Sequence, residues 1–215
     1  FWISIFSSIF ILMASFLYIF ITANDINSDT LFKLSQALVF PFCAPFLCCI
    51  PYSSMQMLEE DTGYNLLMTV KIRRLGYALP RFFVCGIIGA VTMFIPQLIL
   101  YITASFFGGF ADFECFKGIL LGVFFGFAYS TFAYSLTFFC KKKYIPIVFP
   151  QIIYMLCIYA FPHLKLERFY PPLAISPWIY GFASYSNLLG MLIFIVILAV
   201  FLCLAGKIFS KIKID

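Results

Sequence analysis

Long runs of uncharged residues constrain the fold of this chain more than any other feature of its sequence. A helix needs about 20 apolar residues to cross the hydrocarbon of a bilayer. The uncharged runs that reach this length are residues 1–24, 34–58, 82–111, 118–140, 144–164 and 169–206. Only 11% of the residues are charged and 64% are hydrophobic, which is too apolar for a water-soluble domain of 215 residues. The sequence therefore predicts an integral membrane protein.

The runs predict an all-α membrane protein, because each is much longer than the roughly 10 alternating residues of a barrel strand. We expect a single transmembrane domain over residues 1–215. Its six transmembrane helices are predicted at about 1–23, 34–57, 82–107, 118–140, 144–162 and 187–206. The first run begins at Phe1 without a methionine, so we expect a polar segment to precede it. A signal peptide is not expected, since the first run exceeds the ~7–15 residues of a signal h-region.

The last run is too long for one span, and its first part is rich in proline. Pro171, Pro172 and Pro177 each lack the N–H group that a regular helix needs. We expect a broken or re-entrant segment on the outer side, followed by the sixth span. The alternative interpretation is an interfacial loop with an aromatic belt.

Lysine and arginine side chains predict the orientation, because short cytoplasmic loops carry an excess of them. With a cytoplasmic N-terminus, the inner segments hold Lys71, Arg73, Arg74, Arg81, Lys141, Lys142, Lys143, Lys207, Lys211 and Lys213. The outer segments then hold only Lys33, Lys117, Lys165 and Arg168. We therefore expect a multi-pass protein of the cell membrane with both termini on the cytoplasmic side.

A short amphipathic helix is predicted over about residues 62–75, between the second and third spans. Asp61 or Thr62 is expected to cap its N-terminus, and Gly76 to end it. The charged residues that suit the helix dipole at its two ends are Glu59, Glu60, Lys71, Arg73 and Arg74. The simpler interpretation is a membrane-surface helix that only connects two spans. The functional interpretation is a docking element for a soluble partner.

This segment resembles the coupling region of the permease subunits of type-2 ABC exporters. The residues that carry the resemblance are Glu59, Glu60, Thr62, Gly63, Leu66, Leu67, Lys71, Arg73, Arg74 and Tyr77. The six-span layout and the broken segment around residues 175–178 extend it over nearly the whole chain. The resemblance implies a permease that pairs with a second copy or a paralogue and binds two ABC ATPase subunits. The residues implied to couple to the ATPase are Glu59, Glu60, Asp61, Thr62, Gly63, Tyr64, Leu67, Lys71, Arg73 and Arg74.

The sequence predicts no catalytic or metal site in this chain. It contains no GxxxxGK[ST] motif, so ATP and Mg²⁺ are expected only in the partner ATPase. His163 is the only histidine, and we expect it to be solvated at a membrane edge. Of the eight cysteines, only Cys115 is predicted in a loop, so we interpret the cysteines as packing residues rather than disulfides. No nucleic-acid partner is expected.

No charged residue lies near the middle of any predicted span, which argues against an ion-driven carrier. Gln97 and Gln151 are the notable polar residues of a possible transport pathway, although each could instead make an ordinary interhelical hydrogen bond. We expect the bacterial membrane subunit of an ATP-driven exporter, moving a hydrophobic or amphipathic substrate such as a peptide. The alternatives are an ATPase-independent pore or accessory immunity protein and, less favoured, an ion-coupled carrier.

Overall fold

The computed structural model describes residues 28–36, 39–51, 53, 55–64, 74–108, 113–140, 142–178 and 185–212, and also residues 6, 9, 10, 12, 13 and 15–17. Within these ranges the chain forms helices and turns, without a strand, so the all-α prediction is confirmed there. The predicted first span, residues 1–23, lies mostly outside the described residues.

Seven α-helices have both of their ends described, and residues 6, 9, 10, 12, 13, 15–17 and Tyr64 are also helical. The seven helices are α1 (Ser28–Ser35), α2 (Val39–Cys49), α3 (Met55–Asp61), α4 (Arg74–Gly108), α5 (Phe113–Leu136), α6 (Ile145–His163) and α7 (Tyr185–Ile212). Two short 3₁₀ turns, Glu167–Phe169 and Pro171–Ala174, lie between α6 and α7.

Four of these helices are long and apolar enough to cross a membrane. Their apolar segments are Ala78–Phe106, Phe113–Leu136, Ile145–His163 and Tyr185–Gly206. They coincide with the predicted third to sixth spans, but α4, α5 and α7 extend beyond the uncharged runs, whereas α6 lies within its run. Lys117 lies within α5, where its ammonium group lies 5.3 Å from the centre of the Phe113 ring. An absence of charge marks the apolar part of a helix, and it does not mark the ends of the helix.

The predicted second span is wrong as a single helix over residues 34–57. Helices α1, α2 and α3 occupy this stretch instead, and its apolar part, Phe40–Cys49, is shorter than a span. Pro51 lies at the break between α2 and α3 and cannot donate to the carbonyl group four residues earlier, whereas Pro45 is accommodated inside α2. The hydroxyl of Ser53 donates to the Cys49 carbonyl at the end of α2, which satisfies one of the carbonyls left over.

Helix α5 lies at the centre of the described bundle and is the most buried of the four long apolar helices. It packs on α4 backbone to backbone: a Cβ atom added to Gly126 would lie 2.5 Å from the Gly89 carbonyl oxygen. Ser130 donates a hydrogen bond to the Cys85 carbonyl of α4 at 2.7 Å, and Ser135 donates to the Ala199 carbonyl of α7 at 2.7 Å. Small residues and short hydroxyls thus hold α4 and α7 against α5.

The segment between α6 and α7 is broken, as the prolines predict. Residues 171–177 are buried although they form only a 3₁₀ turn and an irregular stretch. The hydroxyl of Ser176 donates to the Gln36 carbonyl at 2.5 Å, and the ring of Trp178 packs on Phe32 and Gly118. The segment therefore packs inward on α1 and α5.

The loop position predicted for Cys115 is wrong, because this residue is buried in the first turn of α5. Glu114 and Lys117 on either side suggested a loop, but both are compatible with the start of a helix. The eight cysteines all lie in the described part of the chain, and none of them is in a disulfide.

Candidate functional site

The acidic segment predicted to start the coupling helix is instead the end of α3. The backbone N–H and the hydroxyl of Thr62 donate to the Leu58 carbonyl at 3.1 and 3.0 Å, and Gly63 has a φ of 72°. These are the features of a helix C-terminus, where a left-handed glycine follows the last turn. Tyr64 is helical again, so Asp61 and Thr62 come directly before a new helix, and their capping of its N-terminus stays a prediction.

The rest of the predicted coupling helix lies largely outside the described residues. This applies to Leu66, Leu67, Lys71 and Arg73. Arg74 is the first residue of α4, so the helix end predicted at Gly76 is also wrong: Gly76 lies inside α4. The described structure thus gives the two flanks of this segment, α3 with its final turn and the start of α4.

Glu59 on α3 forms an ion pair with Arg81 on α4. Only 9% of the Glu59 side chain and 15% of the Arg81 side chain are exposed. This contact joins α3 to the third turn of α4, and because the pair is largely buried, removing either partner would leave an uncompensated charge. The carboxylate that the sequence marked as a docking residue therefore faces inward.

Asp61 forms a second ion pair, with Lys143 in the turn between α5 and α6. The carboxylate oxygen and the ammonium nitrogen are 2.7 Å apart, and both side chains are about half exposed or more. In the same turn, burial raises the pKa of the Cys140 thiol. The Asp61–Lys143 contact brings the loop after α3 and the loop after α5 to one end of the bundle. The predicted orientation places these two segments on one side of the membrane.

A third contact joins α3 to α5. The hydroxyl of Tyr134 donates to Oε1 of Gln56 at 3.3 Å, and both residues are buried. We call Glu59, Asp61, Arg81 and Lys143 together the charged end of the molecule. Helix α3 is thus fastened to α4, to α5 and to the α5–α6 turn.

The residues beside these contacts are exposed. Leu58 and Tyr64 are 44% and 41% exposed, and Thr62 is also exposed. We call Leu58 of α3, together with Thr62 and Tyr64 just after this helix, the exposed tip of α3. A partner protein that bound this tip and moved it would also move α3, which contacts α4, α5 and the α5–α6 turn.

The two glutamines predicted to line a pathway lie in different surroundings. Nε2 of Gln151 on α6 donates to the Phe42 carbonyl of α2 at 2.9 Å, an interhelical hydrogen bond. Gln97 on α4 is fully buried against Gly122, and its amide has no hydrogen-bond partner among the described residues. The interhelical alternative holds for Gln151, and nothing in the described chain bonds Gln151 to Gln97.

Sequence reasoning missed the basic partners of the acidic residues and a third buried glutamine. Arg81 and Lys143 were both predicted on the same side as Glu59 and Asp61, so their shared side was a signal for pairing. Gln36 was overlooked although it lies in an apolar run, as Gln97 does. The small-residue spacing Gly118, Gly122 and Gly126 on α5 also indicates a close helix contact.

Within the described ranges, no three His, Cys, Asp or Glu side chains come together as a possible metal site. Comparison of the chain with protein-family models, with curated proteins and with solved structures gives no match in any of the three.

Proposed function

We propose that this protein is the membrane subunit of an ATP-driven exporter and that the exposed tip of α3 is where a separate ATPase subunit docks. The observation that supports this most directly is the fastening of α3 by the charged end. A docking element must be accessible to its partner and rigidly bound to the helices that move, and α3 combines both properties.

In the proposed working cycle, α3 transmits the movement of the ATPase to the membrane helices. ATP and Mg²⁺ bind in the partner ATPase, and closure of two ATPase subunits shifts the exposed tip. The Glu59–Arg81 pair passes the shift to α4, and the Asp61–Lys143 pair passes it to the turn before α6. The chain works with a second copy or a paralogue, with the charged end and both termini on the cytoplasmic side. Hydrolysis takes place in the partner chain.

The proposed cargo is hydrophobic or amphipathic, such as a membrane-active peptide. Its support is the composition, in which 21% of the residues are aromatic and 11% are charged. Outward transport rests on the resemblance to exporter permeases.

Co-purification in a mild detergent tests the docking role. The double variant Leu58→Ala, Tyr64→Ala removes the two apolar side chains of the exposed tip while leaving both ion pairs in place. We expect an ATPase subunit to co-purify stoichiometrically with the natural protein and to be lost from this variant. The matched control is Leu156→Ala, Tyr159→Ala, which removes the same two residue types from an exposed face of α6.

Equal recovery of the ATPase with both double variants would reject the exposed tip as the docking element. A stable assembly that never contains an ATPase and conducts ions would instead support the ATPase-independent pore or accessory protein. One observation favours that second function: Glu59 and Asp61 are engaged within the chain, so their charges are less available to a soluble partner.

A further inference from the structure

Three side chains in the half of the bundle away from the charged end carry buried polar atoms that have no hydrogen-bond partner among the described residues. They are Gln36, Gln97 and Trp178: both amide atoms of each glutamine and the indole N–H of Trp178 lack one. Gln36 and Gln97 are fully buried. Buried polar groups in folded proteins are nearly always paired, so each such group requires an explanation.

Two of the three side chains pack one helical turn apart on α5. The ring of Trp178 packs on Gly118, and the amide of Gln97 packs on Gly122, so closely that a Cβ atom on either glycine would overlap them. These glycines are one helical turn apart on the same face of α5, or roughly 6 Å along its axis. The absence of two side chains from α5 therefore makes room for an indole and an amide next to each other.

Gln36, the residue directly after α1, is linked to this region through its backbone. Its carbonyl accepts the hydrogen bond of Ser176, two residues before Trp178. The ring of Phe32, one turn earlier on α1, lies 5.6 Å from the ring of Trp178 and 5.7 Å from that of Tyr101. Gln97 lies one turn before Tyr101 on α4. Phe32 therefore contacts both the Trp178 ring and the turn of α4 that follows Gln97.

The chemistry of the three groups defines what they can bind. Each carboxamide both donates and accepts hydrogen bonds, and an indole N–H only donates. None of these side chains is charged, so a neutral ligand is favoured over an ion. A carboxamide or a water molecule satisfies such a set, because each can accept from one group and donate to another.

We propose that Gln36, Gln97 and Trp178 form a binding site, here called the amide site, for a neutral group that both donates and accepts hydrogen bonds. Gly118 and Gly122 form its floor on α5. The occupant is a carboxamide, such as the backbone of a peptide, or water. The site does not depend on the proposed ATPase partner.

Tryptophan fluorescence with acrylamide as the probe tests this proposal, because acrylamide is both a quencher and a small carboxamide. Trp2→Phe leaves Trp178 as the only tryptophan. We expect acrylamide to quench Trp178 with saturation, and propionamide, a carboxamide that does not quench, to protect it. In Gln36→Met, Gln97→Met, which keeps two unbranched side chains of similar length, quenching should fall severalfold. The control Gln151→Met changes a glutamine of α6 and should leave quenching unaltered.

The emission wavelength separates the two occupants. If water fills the site, emission without acrylamide moves to the blue in the double methionine variant, and propionamide gives no protection. If a carboxamide is the ligand, propionamide protects. Linear quenching that neither propionamide nor the methionine substitutions change, with unaltered emission, would overturn the proposal. Should the double variant fail to fold, propionamide protection and the emission wavelength of the Trp2→Phe protein decide alone. Linear quenching without protection, together with the blue emission of an indole that contacts no water, would then overturn the proposal.

Discussion

At the charged end, each acidic side chain whose position is described faces a basic one, whereas at the amide site three buried polar groups meet no partner in the described chain. Both regions pack against α5 and neighbouring helices, yet their polar groups contribute to stability with opposite signs. A buried ion pair resists separation, because removing one charge leaves the other in an apolar setting. An unpartnered amide destabilises the fold in which it is buried.

The difference indicates different roles for the two regions. The paired charges at the charged end join helices to one another, and this structural role is sufficient to account for them. The glutamines of the amide site are not explained by structure, since an apolar side chain of the same size would pack there at lower cost. Residues that reduce stability are expected where a protein binds or moves something.

The largest expected effect concerns the side of the membrane on which each region lies. Cys140 lies at the charged end, in the loop after α5, so a membrane-impermeant maleimide should label it in inside-out vesicles and not in right-side-out ones. Its thiolate is the reacting species, and burial raises the pKa of the thiol. The labelling rate should therefore still be rising with pH between about 8 and 9, where an ordinary cysteine begins to level off.

Two variants control this experiment. Cys140→Ser should abolish the signal, and Leu166→Cys in that background places a thiol at an exposed position of the other end. The second variant should react only in right-side-out vesicles. Labelling of Cys140 from the external side would reverse the proposed orientation and remove the charged end from the reach of an ATPase.

A smaller effect distinguishes the two ion pairs of the charged end. Glu59→Gln removes the negative charge that faces the buried Arg81, and we expect the free energy of unfolding to fall by about 3 kcal/mol. Asp61→Asn breaks an exposed pair and should lower the free energy of unfolding by about 0.2–1 kcal/mol. Denaturation in detergent at low and high salt measures both, and only the Asp61 effect should shrink with salt.

The charge swap Glu59→Arg, Arg81→Glu is the control for the buried pair, and it should recover part of the stability. Equal, small losses for Glu59→Gln and Asp61→Asn would mean that α3 is not held to α4 by the buried pair. The proposed transmission of movement from α3 to α4 would then lack its main contact.

The sequence predicted the long helices well because their signal is local. An uncharged run of sufficient length identifies a span without any knowledge of its neighbours, and α4 to α7 fall on four such runs. The same rule failed over residues 34–57, where three short helices replace one span and Pro51 lies at the second break. Hydropathy reports whether a segment tolerates lipid, and backbone chemistry decides whether it is one helix.

The functional residues were harder to predict because their roles depend on contacts between distant segments. The hydrogen bonds of Thr62 to Leu58 mark the end of α3, and Tyr64 is helical again, so Thr62 and Gly63 separate two helices that look continuous in the sequence. Gln97 and Gln151 looked alike in the sequence. Gln151 bonds to a neighbouring helix and Gln97 does not, and nothing in their local sequence distinguishes the two residues.

The smallest predicted effect is also the one with an unexpected sign. Gln97→Met removes a buried amide without a described partner and keeps the unbranched shape that fits against Gly122, so the free energy of unfolding should stay constant or rise by about 1 kcal/mol. Gln151→Met removes the bond to the Phe42 carbonyl and should lower it by about 1 kcal/mol. Thermal unfolding of both proteins in the same detergent provides the comparison. If Gln97→Met is the more destabilised of the two, its amide is bonded within the fold, and the contrast between the charged end and the amide site disappears.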